Sequence, residues 1–257
     1  MRSLLLALCA ALIIGGALLA AGATTPARIA VPAATASSDT GDKGAFGKRV
    51  RDYLMANPEV LVEAMQELER RQDSQRDTVA QKAIQQHKSE LLADPESPTG
   101  GNINGDVIVV DFNDYQCPYC KRAHQALKSV VAADGKVKVV YKDLPILGEP
   151  SRIAALAALA SVKQGKHVAF HDALMEFSGK LDRARILEIA TSVGLDVAVL
   201  EKDMEDPKFK QLIERNMALA GALGVRGTPA FVIGDQFVPG AVDAAALKQM
   251  IAEARKR

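Results

Sequence analysis

The sequence predicts an α/β domain broken by a helical insertion and preceded by a helical stalk, and three patterns carry that prediction. The apolar, β-branched runs at 107–112 (VIVVDF) and 137–142 (VKVVYK) read as strands of a sheet. A long helical stretch, from Ser151 to about Leu223, separates them from a hairpin signal at 229–238. Upstream, 46–92 carries one narrow apolar stripe at helical spacing.

At the amino end, Arg2 supplies a positive charge, 4–19 is an apolar run, and Ala21-Gly22-Ala23 has the small-x-small pattern of a processing site. Residues 1–23 are therefore expected to be a cleaved export signal; the run is nearly long enough to serve instead as an uncleaved membrane anchor. Cys9 lies inside the run, behind Leu8 where a lipoprotein signal wants a small residue, and is expected to leave with the signal. Residues 24–45, rich in Ala, Thr, Ser, Pro and Gly, read as a flexible linker.

The stalk follows, expected over 46–94. Asn57-Pro58 resembles a helix start, with Asn57 as N-cap, Pro58 at the first helical position and Glu59 in the first turn. Leu61, Ala64, Met65 and Leu68 share one face, and the seam continues through Gln72, Gln75 and Val79 with a polar middle. Pro95 and Pro98 stop it. An uninterrupted helix of about 34 residues would extend roughly 51 Å. Nothing of matching length lies nearby in the sequence, so the seam is expected to pair with further copies of the chain; folding back onto the chain's own domain is the competing arrangement.

From 99 to 257 the order is strand, helix, strand, helical insertion at about 150–223, hairpin, helix. The insertion is punctuated near Gly165, Gly179, Gly194 and Pro207. The hairpin turns at Gly234-Asp235, and a last helix runs from Asp243 to about Ala254. The net charge of +1 and the absence of Trp argue against a polyanion or base-stacking surface, so no nucleic acid is expected.

Once the signal is gone, Cys117 and Cys120 are the remaining cysteines. A loop so short closes little chain entropy, so the pair makes a poor structural staple and reads as chemistry. The motif follows a strand and opens a helix. With Cys117 as cap and Pro118 at the first helical position, backbone N–H groups face the Cys117 sulfur. Such sites lower a thiol from about 8.5 into the range of roughly 3.5–7.5. Cys117 is then the attacking thiolate and Cys120 the resolving thiol. The alternative, half of a zinc site with His124, His167 and His171, has the wrong ligand spacing; no metal or other cofactor is expected, and His167 and His171 read as helix-surface or packing residues. Thr228-Pro229 alone is a turn signal; beside a CxxC, it suits a cis bond that presents the Thr228 backbone to an added peptide strand.

The segments VVDFNDYQCPYCKRAH and GTPAFVIG, with the helical insertion between them, resemble the DsbA family of thioredoxin-fold proteins over about 99–257. The YLMANPEVL segment and charged helix upstream resemble the stalk-bearing, ScsC-type members, which oligomerise through that region, some as trimers with isomerase activity. The resemblance implies a thioredoxin-like fold, Cys117 as nucleophile, Cys120 as resolving thiol and Pro229 as a cis proline. It places Asp111 where the family has a buried acid, with Lys142 as its suggested partner. That acid either relays protons or closes a satisfied ion pair. Strong oxidases of the family carry histidine where this chain has Tyr119, so a less oxidising couple is implied. The expectation is a periplasmic thiol–disulfide oxidoreductase, leaning to disulfide isomerase. Its partners would be cysteine-containing client proteins, a membrane or soluble thiol redox partner, and copies of itself, a trimer being favoured. A dithiol oxidase, a copper-tolerance protein binding Cu(I) through the thiols, and a peptide-binding adaptor are the rival readings.

Overall fold

The structure, a computed structural model, describes residues 42–256; the expected signal, most of the linker and Cys9 lie outside them. The described residues divide into two units at Pro58.

The first unit is helix α1, Asp42–Ala56, which leaves Phe46, Tyr53 and Met55 exposed. The Asn57 side-chain amide donates to the Tyr53 carbonyl at 2.9 Å. Asn57 thus closes α1, whereas the sequence pattern had it opening the next helix.

The second unit begins with α2, Glu59–Gln86, and a short α3, Lys88–Leu92. Five strands follow: β1 Thr99–Gly101, β2 Val107–Asn113, β3 Val137–Asp143, β4 Ala230–Ile233 and β5 Gln236–Pro239. Their order is β1-β3-β2-β4-β5, with β2 parallel to β3 and the other pairs antiparallel. Helix α4, Pro118–Asp134, connects the two parallel strands, as a crossover must. It ends at Gly135, whose φ of 71° is left-handed, the conformation glycine tolerates best. β1 had no signal of its own: three residues, two of them glycine, rank low in strand propensity, and pairing with β3 decides the matter. Helix α10, Ala244–Ala254, closes the chain behind an Asp243 N-cap.

Strand periodicity sorts the sheet's two faces. Val107, Val109, Val137 and Val139 pack with Leu127 and Val130 of α4 and Leu247 and Ile251 of α10. The alternate residues Val110, Phe112 and Val140 pack with Ala83, Ile84, Leu91, Leu219 and Leu223. The last turns of α2 and all of α3 therefore belong to the domain, not to a free stalk. Leu61, Val62, Met65, Leu68 and Val79 stay exposed, because the face that docks carries Ala80, Ala83 and Ile84 instead. The predicted seam is thus unused by the helix's own domain.

The insertion forms a third core. Helices α5 Glu149–Ala160, α6 His167–Glu176, α7 Arg183–Ser192, α8 Val197–Met204 and α9 Pro207–Ala222 break close to the predicted glycines and Pro207. Four aspartates, Asp182, Asp196, Asp206 and Asp243, cap α7, α8, α9 and α10 through their carboxylates. Tyr115, Cys117 and Cys120 pack against this core, so the insertion roofs the cysteines.

Candidate active site

Cys117 sits at the seam between β2 and α4. Its φ and ψ of −76° and 117° are extended, its side chain caps the helix, and Pro118 occupies the first turn. The Cys120 backbone N–H donates to Cys117 Sγ at 3.4 Å. On the other side, the Cys117 thiol donates to the Thr228 carbonyl at 3.2 Å across 111 residues of sequence. The Thr228–Pro229 peptide is cis. The fold thus brings the two motifs, distant in the chain, to one sulfur.

Both cysteines are reduced, and both are buried. Cys120 receives the Asp114 N–H at 3.5 Å. Burial first, and then the nearby Asp111 and Cys117 charges, push its thiol well above the ordinary range, more than its hydrogen bonds lower it. Tyr119, by contrast, is 58% exposed, with the Arg122 guanidinium 4.5 Å over its ring. The position between the cysteines therefore presents an aromatic surface to solvent. Ile146 and Leu147, whose N–H groups bind Asp114, are exposed too.

Asp111 is fully buried, and burial pushes its carboxyl up from 3.8 to about 7. Among the described residues nothing bonds its Oδ1. The suggested partnership with Lys142 does not form. Lys142 pairs with Phe112 in the β2–β3 register, and Asp111 pairs with Tyr141, so the two side chains leave opposite faces of the sheet. Lys142 Nζ instead donates to Asp94 at 2.9 Å and Ser97 at 2.7 Å. It tethers the segment after α3 to the sheet.

Sequence reasoning passed over Asp114. Its carboxylate accepts from Gln116 N–H at 2.8 Å, Ser151 Oγ at 2.7 Å, Ile146 N–H at 2.9 Å and Leu147 N–H at 3.0 Å. Its carbonyl accepts from Cys117 N–H at 3.0 Å. A single buried side chain therefore ties the redox loop to the β3–α5 connection and the first turn of α5. The Asx-turn to Gln116, two residues on, was the only local signal. Of the two alternatives for His167 and His171, surface or packing, the structure has packing: with His124 they are buried and meet beneath Tyr141.

An open groove of about 1060 Å³ runs beside Thr228 and Pro229. Phe237 and Pro239 form one wall, and Arg76 and Val79 of α2 form another.

The DSBA-like thioredoxin domain family matches residues 108–252, and the N-terminal domain of the copper resistance protein ScsC matches 42–75. Among solved structures, a thioredoxin-like oxidoreductase from Silicibacter pomeroyi DSS-3 is 49% identical, with a TM-score of 0.65 over 66% of this chain and 98% of that one. A linker-deletion variant of Proteus mirabilis ScsC is 32% identical, with a TM-score of 0.64 over 86% of this chain and 98% of that one. Among curated sequences, the Na(+)/H(+) antiporter NhaA 1 of Salinispora arenicola is 27% identical over 62% of this chain. The chain spans about a quarter of that relative's length (26%). Among the described residues no helix is long and apolar enough to cross a membrane.

Proposed function

The chain belongs to the DSBA-like thioredoxin-domain family, and from that premise we propose that it is an exported, periplasmic thiol–disulfide oxidoreductase acting chiefly as a disulfide isomerase. The observation that carries the reading is the position of Cys117 Sγ, between the Cys120 N–H at the head of α4 and the Thr228 carbonyl. A helix N-terminus favours the thiolate, and the loop beside it offers backbone groups to an extended client chain.

The Cys117 thiolate attacks one sulfur of a client disulfide. A Cys117–client disulfide forms, and the other client sulfur leaves as a thiolate. Two exits follow. A client thiolate can attack the mixed disulfide, which reshuffles the client and returns Cys117 as thiolate. Alternatively Cys120 attacks Cys117 Sγ, leaving a Cys117–Cys120 disulfide and a reduced client. The second exit requires Cys120 to give up a proton that burial and the neighbouring Asp111 charge make it hold. Asp111 is the acceptor at hand, half ionised near neutrality. A slow internal exit leaves time for the client's own thiol, which favours isomerisation over reduction. Tyr119, Ile146 and Leu147 supply an apolar surface suited to unfolded clients.

The direct test is Cys120→Ala. It should accumulate covalent client adducts on Cys117, visible as reducible high-mass bands; their absence would remove the mechanism.

The stalk reading is kept with a shorter boundary. Leu61, Val62, Met65 and Leu68 form an exposed apolar row, and copies of this chain, a trimer by the family resemblance, are its proposed cover. Several active sites on one assembly hold a misfolded client longer. Removing residues up to about 70 keeps the buried end of α2. It should give a monomer that retains dithiol reductase activity and loses isomerisation. Unchanged sedimentation of the truncated chain would end that part of the reading.

The match of 42–75 to a domain named for copper resistance supports a second reading, in which Cys117 and Cys120 hold Cu(I). Cu(I) titration of the reduced chain and of Cys117→Ala separates binding from turnover.

A further inference from the structure

We propose that His124, His171 and Asp172 form a binding site for a divalent transition-metal ion, separate from the dithiol. One ligand atom from each residue lies within 4.8 Å of the other two. His124 comes from α4, one turn beyond Cys120, and His171 and Asp172 come from α6. The site therefore joins the redox helix to the insertion.

His124 Nε2 and His171 Nε2 are buried, and neither makes a hydrogen bond. His124 Nε2 stands 3.4 Å from Asp172 Oδ1, so two donor atoms already converge. The other nitrogen of His171, Nδ1, is engaged with the Tyr115 hydroxyl at 2.9 Å. Such a second bond sets the tautomer and ring orientation of a metal-binding imidazole.

The charges around the site allow the ion. Lys128 Nζ holds Asp172 Oδ2 at 2.8 Å and Glu176 at 2.6 Å, which leaves Asp172 Oδ1 on the histidine side. Lys128 is half-exposed and keeps Glu176 when Asp172 turns to a metal. Lys121 is occupied by the Leu174 and Phe177 carbonyls. A cleft of about 430 Å³ reaches two of the three, His124 and Asp172, with Lys128, Tyr141, Gly101 and Asn102 also in its lining. Two imidazoles and one carboxylate select Zn²⁺, Co²⁺, Ni²⁺ or Cu²⁺; hard Mg²⁺ and Ca²⁺ want oxygen, and Cu(I) wants sulfur. Three protein ligands leave the remaining coordination positions to water in the cleft.

The test uses the full-length protein with Cys117 and Cys120 oxidised to a disulfide, so that neither sulfur is a ligand. Co²⁺ is added and followed by calorimetry and visible absorption, with Zn²⁺ as competitor. One Co²⁺ per chain should bind, with d–d bands and no thiolate charge-transfer band. Asp172→Asn and His124→Gln should each weaken binding by ~10-fold or more, while melting in EDTA shows both folded. Lys128→Ala, a surface change that leaves the core alone, should tighten binding several-fold by removing the competing cation. Absence of a bound ion in the oxidised protein would overturn the site, and so would affinities unchanged across all three variants. Because the cysteines are blocked throughout, the result stands or falls apart from the oxidoreductase reading.

Discussion

Asp111 and Asp114 lie three residues apart, both buried, and their surroundings are opposites. Asp114 sits in the loop, where the chain leaves the sheet and backbone N–H groups are free; it collects four donors from three segments. Asp111 sits inside β2, between β3 and β4, in register with Tyr141 and Phe231. Its Oδ1 is left without a donor among the described residues, and its carboxyl rises to about 7. The contrast teaches that burial alone does not assign a role. A saturated carboxylate is a fastener, and a starved one exchanges protons near neutrality.

The largest effect should come from removing the fastener. Asp114→Ala strands the Ser151 hydroxyl and three N–H groups, so a loss of about 3 kcal/mol or more is expected in urea melts, with slowed thiol exchange. A loss below about 1 kcal/mol would show that water replaces the carboxylate readily and that the loop holds itself.

Asp111→Asn should act on pH dependence instead. The folded carboxyl titrates at about 7, against 3.8 ordinarily, so the folded protein keeps a proton that the unfolded chain loses. That carboxyl's own contribution to stability should therefore fall as pH rises from 3.8 to about 7, and flatten above. The variant should lose that contribution and keep the one from Asp143, which burial pushes to about 8. Resolution of the mixed disulfide by Cys120, followed by rapid quench, should show an inflection near 7 in the wild type that the variant lacks. An identical inflection in both would take Asp111 out of the proton path.

Tyr119→Ala should do least to the fold, because the ring is mostly solvated; a change within ~0.5 kcal/mol is expected. The Michaelis constant for an unfolded client should rise a few-fold while turnover of a small dithiol stays level. Equal losses on both substrates would place Tyr119 in the chemistry rather than in client contact.

Much of the architecture was readable locally. The apolar, β-branched runs at 107–112 and 137–142, the glycine and proline breaks of the insertion and the Gly234-Asp235 hairpin each leave a signature within a dozen residues. The CPYC motif belongs with them, since a helix cap is a local event. The stalk boundary was not readable, because nothing in α2 marks where an apolar seam meant for another chain yields to Ala80, Ala83 and Ile84 docking on the sheet.

By itself the sequence determined most of the helices and strands, β1 apart, and which sulfur meets a helix end, because those depend on spacing over a few bonds of chain. Only the tertiary structure decided who stands beside whom. Lys142 found Asp94 at a separation of 48 residues, Asp114 found Ile146 at 32, and Tyr115 found His171 at 56. Such pairings follow from sheet register and helix docking, which sum many weak contacts over the whole domain. A one-residue change of strand phase would have put Lys142 on Asp111's face of the sheet.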